Sequence, residues 1–241
     1  MSNWRSVFVL KDALADVKDY AERMSRRTAK ERVKGAKEAL YREHILDAAE
    51  QVFANSGYED AKVVAMSEAA GMSLATLYRG FQTKWDIYCA VHARRTAALG
   101  AYLNERIAGI TNPLELFLAS ISAYFEFHAR NPNYLRMHLR SGHAWSTPQS
   151  LRSEEQIAAW NRGVAMATQA FAAAIDAGLC VNDENPKLMA RTLIAMHQVR
   201  LADWVERGMK EPVDVVLDKI HRQFIRTFCR PEFAERLGKA K

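Results

Sequence analysis

The sequence of 241 residues predicts an all-α fold. Apolar residues recur at helical spacing along the chain, and the alternation typical of strands does not appear. The pairs Asn112-Pro113, Asn131-Pro132 and Asn185-Pro186 each place an N-cap residue before a proline suited to the first helical position. Gly178 and Gly208 follow apolar stretches where helices are expected to stop. These signals predict nine or ten helices and no sheet.

The predicted elements follow one another with short connections. A short amphipathic helix in the leader carries Leu10, Leu14, Val17, Ala21 and Met24 on one face. A separate helix runs from about Ala39 to Asn55 and stops at Gly57. Short helices at 62–70 and 73–79 and a long helix from Lys84 come next. The later helices are expected at 113–130, 132–145, 152–177, 186–207 and 212–229, with a loop at 146–150.

Charge is distributed unevenly along the chain. Residues 1–37 hold ten Lys or Arg against five Asp or Glu, so most of the net charge of +6 lies in this leader. Such a run suits contact with phosphates, and it equally suits a solvated tail. The widely spaced Cys89, Cys180 and Cys229 indicate reduced thiols in a cytoplasmic protein. We find no signal peptide and no membrane-spanning stretch in the sequence.

Residues 63–81 have the spacing of a helix-turn-helix. Met66 and Leu77 are apolar where two crossing helices share a core, and Ser67 is small where the backbones come close. Gly71 can take the positive φ that a tight turn requires. Ser73 is placed to cap the second helix. This motif puts the start of its second helix into the DNA major groove.

The stretch from about Glu43 to Val91 resembles the DNA-binding domain of the tetracycline-repressor (TetR) family. The matching residues are Ile45, Leu46, Ala48, Ala49, Phe53, Gly57, Tyr58, Ala69 to Gly71, Ser73, Thr76 to Tyr78, Phe81 and Lys84. The chain departs from the family pattern in three places. It lacks the usual Thr or Ser cap before the first motif helix, so we expect Asp60 to cap it. Met66-Ser67 replaces an Ile-Ala pair, and Gly80 stands where His or Tyr is frequent.

The resemblance implies roles for individual residues. Thr76, Tyr78 and Lys84 are expected to contact phosphates, which sets the register on DNA. Leu74 and Ala75 would approach thymine methyl groups. Arg79 would read guanine or contact a phosphate, and these two roles stay open. The complete predicted DNA-binding set is Arg42, Lys62, Ser73, Leu74, Ala75, Thr76, Tyr78, Arg79 and Lys84.

The rest of the chain predicts an effector domain. Its many large apolar side chains form a core, and some are expected to line a pocket for a small apolar or aromatic effector. The predicted pocket residues are Phe117, Tyr124, Met137, Trp160 and Met166. His128, His138 and His143 lack the spacing and the additional ligands of a metal site, so we expect neither a metal nor a cofactor.

Together these patterns predict that the chain has three parts. Residues 1–37 form a basic extension, 38–85 a three-helix DNA-binding domain, and 86–241 a larger helical domain for effector binding and dimerisation. By resemblance, the helices at 186–207 and 212–229 would pair with their copies in a homodimer. The apolar Val213, Val216, Ile220 and Phe224 are expected at that interface. The predicted function is a sequence-specific transcriptional regulator, which by resemblance is a repressor released from a palindromic operator by its effector. A sequence-neutral nucleoid protein and a helical enzyme without a recognisable motif are the alternatives.

Overall fold

The computed structural model describes the backbone of residues 4–140 and 153–232, with side chains from residue 31 onward. The chain divides into two compact units, residues 1–45 and 46–241. The described residues form nine helices and no named strand, as predicted. The helices are α1 (Trp4–Asp60), α2 (Val63–Ala69), α3 (Leu74–Gly80), α4 (Lys84–Ile107), α5 (Pro113–Arg130), α6 (Pro132–Arg140), α7 (Glu154–Asp176), α8 (Pro186–Glu206) and α9 (Val213–Phe228). The predicted domain boundaries at residues 38 and 86 remain predictions.

The first unit is the N-terminal part of helix α1. The sequence predicted two helices here, the second beginning near Ala39, but α1 continues through that point and the prediction of a break is wrong. Residues 31–40 are exposed and rich in Lys, Glu, Arg and Ala, which are strong helix formers. Lys34 and Glu38 form an exposed ion pair at 3.8 Å across one helical turn. The apolar face from Leu10 to Met24 lies outside the described side chains.

The second unit begins with the last residues of α1. Gly57 has φ 75° and ψ 175°, which interrupts the helix where the sequence predicted its stop. The same helix resumes briefly and ends at Asp60. Phe53 is completely buried, as its place in the predicted apolar stripe requires.

Side-chain caps fix the starts of the later helices. Asn112 Oδ1 accepts hydrogen bonds from the backbone N–H groups of Leu114 (2.9 Å) and Glu115 (3.2 Å), and Pro113 follows it. Asn185 caps α8 in the same way. These Asn-Pro predictions are confirmed. Residues 141–152, which include the predicted loop and the predicted end of the sixth helix, lie outside the described residues.

The core of the second unit is built on three phenylalanines. The ring of Phe117 on α5 lies 4.6 Å from that of Phe171 on α7 and 5.0 Å from that of Phe224 on α9. Ile121 and Ile220 are buried in the same cluster. Burying such side chains contributes roughly 1.5–3 kcal/mol each, so this cluster holds α5, α7 and α9 together.

The buried face of α9 corrects one prediction. Val216, Ile220 and Phe224 are at most 4% exposed, and Val213 packs against the same core. We expected these four residues at a dimer interface, because their face is more apolar than the surface of a monomer would be. That assignment is wrong, because the face is covered by the chain's own core.

The described ranges lack two features, a membrane-spanning helix and a cluster of metal ligands. Within 4–140 and 153–232, no helix is both long and apolar enough to cross a membrane. In the same ranges, no three His, Cys, Asp or Glu side chains come together as a metal site. His128 and His138 do approach each other, with ring centroids 6.0 Å apart, whereas His143 is outside the described residues.

Candidate nucleic-acid interface

The turn between α2 and α3 has the geometry that the sequence predicted. Gly71 has φ 64°, and its N–H donates to the carbonyl of Glu68 at 3.0 Å. The N–H of Met72 donates to the carbonyl of Ser67 at 2.9 Å, which closes the turn. Met66 and Leu77 are completely buried, and Ser67 is 3% exposed. The two short helices therefore share a core and leave the other face of α3 outside.

The outer face of α3 carries the predicted contact residues. Tyr78 is 47% exposed and Leu74 is 37% exposed. Ala75 and Arg79 are exposed on the same helix, while Thr76 is half-buried. Because Leu77 packs the inner face of α3 against the core, a DNA groove that receives α3 would contact the exposed side chains of its outer face.

A small hydrogen-bond network organises this face. Ser73 Oγ accepts from the backbone N–H of Thr76 at 3.2 Å, so Ser73 is the N-cap that was predicted. The hydroxyls of Ser73 and Thr76 lie 2.9 Å apart. Arg79 Nη2 donates to Thr76 Oγ1 at 3.1 Å. The Arg79 guanidinium is therefore held by the Thr76 hydroxyl.

The Lys84 ammonium is held by backbone carbonyls. Its Nζ donates to the carbonyl oxygens of Tyr58 (2.7 Å), Glu59 (3.0 Å) and Ala61 (3.2 Å), and it lies 4.6 Å from the centre of the Tyr58 ring. An ammonium group has three N–H donors, and all three are used here. In this structure the ammonium therefore caps carbonyls at and directly after the end of α1, and the contact of Lys84 with phosphate stays a prediction.

The remaining predicted basic contacts lie in different places. Lys62 is exposed and is the N-cap residue of α2, without a side-chain cap hydrogen bond. Asp60 is the last residue of α1, so the prediction that Asp60 caps α2 is wrong. Arg42 is exposed on the part of α1 that belongs to the first unit.

The five predicted pocket residues do not share one environment. Phe117 and Met137 are 4% and 2% exposed, and Trp160 is half-buried. Tyr124 has its ring 4.4 Å from that of His128 and 5.8 Å from that of His197. Met166 is 53% exposed, so it does not lie in the buried interior with Phe117 and Met137, and its place in a pocket stays a prediction.

Sequence reasoning missed a buried polar cluster beside Tyr124. Gln198 Nε2 donates to the Tyr124 hydroxyl at 3.1 Å. Gln198 Oε1 and His197 Nε2 are buried, and neither has a hydrogen-bond partner among the described residues. Burial lowers the pKa of His197 and of His128 to about 4, so both rings are neutral at pH 7. The available signal was the polar pair His197-Gln198 inside an otherwise apolar helical stretch.

The sequence also did not reveal a set of hydrogen bonds that joins α1, α4 and the end of α5. Glu50, 4% exposed, accepts two hydrogen bonds from Arg95, at 2.7 Å and 2.9 Å. Arg95 Nη1 also donates to Asn131 Oδ1 at 2.6 Å, and Asn131 is the C-cap of α5. A glutamate beside Ala49 in a buried stripe was the signal in the sequence. A buried carboxylate needs such partners, because an unpaired buried charge is strongly destabilising.

Comparison with known proteins adds to this geometry. The family model described as "Bacterial regulatory proteins, tetR family" matches residues 45–91. An uncharacterised HTH-type transcriptional regulator of Mycobacterium tuberculosis is 34% identical over 93 residues, which are 39% of this chain and 46% of that protein. The chain thus matches about half the length of this curated relative.

Solved structures share the fold over most of the chain. The ketosteroid transcriptional regulator KstR2 of Mycobacterium tuberculosis has a TM-score of 0.66 and 19% identity, covering 78% of this chain and 95% of that one. The transcriptional regulator FadR of Bacillus subtilis, in complex with stearoyl-CoA, has a TM-score of 0.65 and 18% identity, covering 76% and 96%. At these identities the likeness is one of fold.

The Lys84 contacts predict a specific effect on stability. Lys84→Met removes three hydrogen bonds from a charged donor, so the free energy of unfolding is expected to fall by about 2 kcal/mol. Lys62→Met, at an exposed lysine whose side chain makes no cap hydrogen bond, is the control and is expected to change the free energy of unfolding by less than about 0.5 kcal/mol. Urea unfolding followed by circular dichroism measures both. Equal midpoints for Lys84→Met and the parent chain would contradict the capping role.

Proposed function

We propose that this chain, whose residues 45–91 form a tetR-family DNA-binding domain, is a cytoplasmic, effector-controlled transcriptional regulator that acts as a homodimer without enzymatic activity. The observation that carries the proposal is the exposed outer face of α3, with Leu77 buried behind it. By the family's default the chain is a repressor of a palindromic operator.

The contacts on DNA divide into two kinds. The Tyr78 hydroxyl and the Lys62 ammonium are suited to phosphates, which hold the protein in register. Leu74 and Ala75 are suited to thymine methyl groups, which carry sequence information. Arg79 shares its guanidinium with Thr76, and its remaining N–H donors suit guanine or a phosphate.

The homodimer is proposed to form through the outward faces of α8 and α9. Leu188 and Val199 on α8 are 45% and 67% exposed, and Val215 on α9 is 40% exposed. Leu188 and Val199 are eleven residues apart, which is close to three helical turns, so they lie on one face. A two-fold dimer would present two α3 helices to half-sites about 34–36 Å apart, or a multiple of that distance.

The effector is proposed to be a mainly apolar molecule with one neutral hydrogen-bonding group. Phe117 and the core around it offer apolar contact. A ligand group that bonds Gln198 Oε1 and His197 Nε2 would recover the roughly 1–3 kcal/mol that an unsatisfied buried atom costs. Gln198 Oε1 only accepts hydrogen bonds, so the ligand group must be a donor. Because His197 and His128 are neutral at pH 7, this cluster favours a hydroxyl or an N–H amide over a carboxylate or phosphate.

A physical link supports communication between the two sites. His128 Nδ1 lies 2.8 Å from the carbonyl oxygen of Tyr124, which is one helical turn earlier in α5. Asn131 at that end is bonded to Arg95 on α4, and Arg95 is bonded to Glu50 on α1. A ligand that shifts α5 would therefore pull on α4, which begins directly after the helix-turn-helix. The ligand biases DNA binding only by its difference in affinity for the two arrangements.

Selection of bound duplexes from random DNA tests the DNA-binding proposal. A palindromic consensus is expected, with two chains bound per duplex. Lys62→Ala should flatten the plot of log affinity against log salt by about 0.9, and Tyr78→Phe should weaken binding about 3–10-fold on every sequence. Lys187→Ala, at an exposed lysine on α8, is the control and should change neither. Enrichment of no sequence would favour the nucleoid alternative.

Sedimentation velocity tests the interface. Val199→Glu places a charge on the proposed apolar contact, so the variant is expected to sediment as a monomer where the parent chain is a dimer. Val33→Glu changes a valine that is 69% exposed and should leave the dimer intact. If the Val199→Glu variant is still a dimer, the interface does not use this face of α8.

Paired probes test the effector chemistry. Decan-1-ol and decanamide are neutral hydrogen-bond donors, whereas decanoate and stearoyl-CoA carry charge. The neutral probes are expected to raise the melting temperature of the chain and to release the selected duplex. Gln198→Leu should weaken that release about 5-fold or more and leave DNA affinity in the absence of probe unchanged. Release by the charged probes alone would contradict the proposed polar cluster.

A further inference from the structure

Two buried cysteines face each other where the ends of α7 and α9 meet. The backbone N–H of Val181 donates to the carbonyl of Phe228, and that of Arg230 donates to the carbonyl of Leu179, both at 3.0 Å. This pattern makes Cys180 and Cys229 directly opposed residues of an antiparallel bridge. Because the two hydrogen bonds flank the pair, it is of the non-hydrogen-bonded kind, whose Cα atoms lie about 4.5 Å apart. Disulfides form across Cα separations of about 4.4–6.8 Å.

The two thiols are already in contact. Cys180 and Cys229 are 1% and 5% exposed, and both are free thiols. The Cys180 thiol donates a hydrogen bond to the Cys229 sulfur, which raises the pKa of Cys180 and lowers that of Cys229. In Cys89 on α4, burial and the nearby Glu155 and Asp86 carboxylates raise the pKa to about 11. The third thiol is thereby held in its unreactive protonated form.

We propose that Cys180 and Cys229 are a redox modification site, a dithiol that hydrogen peroxide converts into an internal disulfide. The Cys229 thiolate attacks one peroxide oxygen, which gives a sulfenic acid and releases hydroxide. The Cys180 sulfur then attacks the sulfenic sulfur, and a second hydroxide leaves. The two thiol protons and the two hydroxides form two water molecules, so one peroxide is reduced as the two sulfurs lose two electrons.

Cys180 and Cys229 belong to the core cluster, but exposed chain lies close to each of them. Pro231 and Glu232 follow Cys229 and are exposed, and residues 182–185 after Cys180 are exposed as well. Opening this one bridge would bring both sulfurs to solvent. Once formed, the bond would close a loop of about 50 residues that contains all of α8, which restricts the unfolded chain. A rise in melting temperature of roughly 5–15 °C is expected.

Thiol counting in the full chain tests this proposal. The reduced protein is treated with hydrogen peroxide, quenched with catalase, denatured and labelled with iodoacetamide. Only one of the three thiols is expected to take the label, and peptide mapping should place that label on Cys89. A linked peptide should join Cys180 to Cys229, and non-reducing gels should show a single-chain species. Labelling of all three thiols, or a link between two chains, would overturn the proposal.

Matched variants separate this disulfide from general oxidation. Cys89→Ser should still lose both remaining labels and still gain thermal stability on oxidation. Cys180→Ser should form no internal link and show no gain. If Cys180→Ser does not fold, the peptide map of the parent chain decides the question alone. Oxygen addition to both sulfurs of the parent chain, without a link between them, would also overturn the proposal.

Discussion

The helix-turn-helix depends on the contact between Lys84 and the end of α1. Helices α2 and α3 have seven residues each, too short to be stable without tertiary support. The Lys84 ammonium binds the carbonyls of Tyr58 and Glu59 at the C-terminal end of α1, where the helix dipole is negative, and that of Ala61 directly after it. This contact joins the helix before the motif to the helix after it. The two short helices are thereby held between fixed ends, with Leu77 and Met66 as their common core.

The same two long helices carry the contacts that lead away from the motif. Arg95 on α4 bonds both Glu50 on α1 and Asn131 at the end of α5. His92, also on α4, has its ring 4.5 Å from Tyr88 and 5.6 Å from Tyr134 on α6. Because side chains in a protein interior are closely packed, a small shift of α5 or α6 would be transmitted to α4 through these contacts. Helix α4 therefore contacts the interior of the second unit and also begins directly after the helix-turn-helix.

The sequence predicted most of the fold because its signals were local. Asn112, Ser73 and Gly71 act within their own turns, so cap and turn chemistry alone located them. What it missed depends on residues far apart in the chain. The Lys84 donors meet carbonyls more than twenty positions away, and the apolar face of α9 is covered by α5 and α7, which periodicity cannot reveal. Gln198 and His197 were missed for the same reason, because their importance comes from Tyr124 on another helix.

The hydroxyl of Thr76 has one further consequence for DNA recognition. It bonds the guanidinium of Arg79 before any duplex is present, so the arginine is partly immobilised in advance. Less side-chain entropy remains to be lost when the complex forms. The same restraint narrows the set of base steps that the guanidinium can reach. For the proposed contact of Arg79 with DNA, a tighter complex and a narrower set of operators would therefore both follow from the Thr76 hydroxyl.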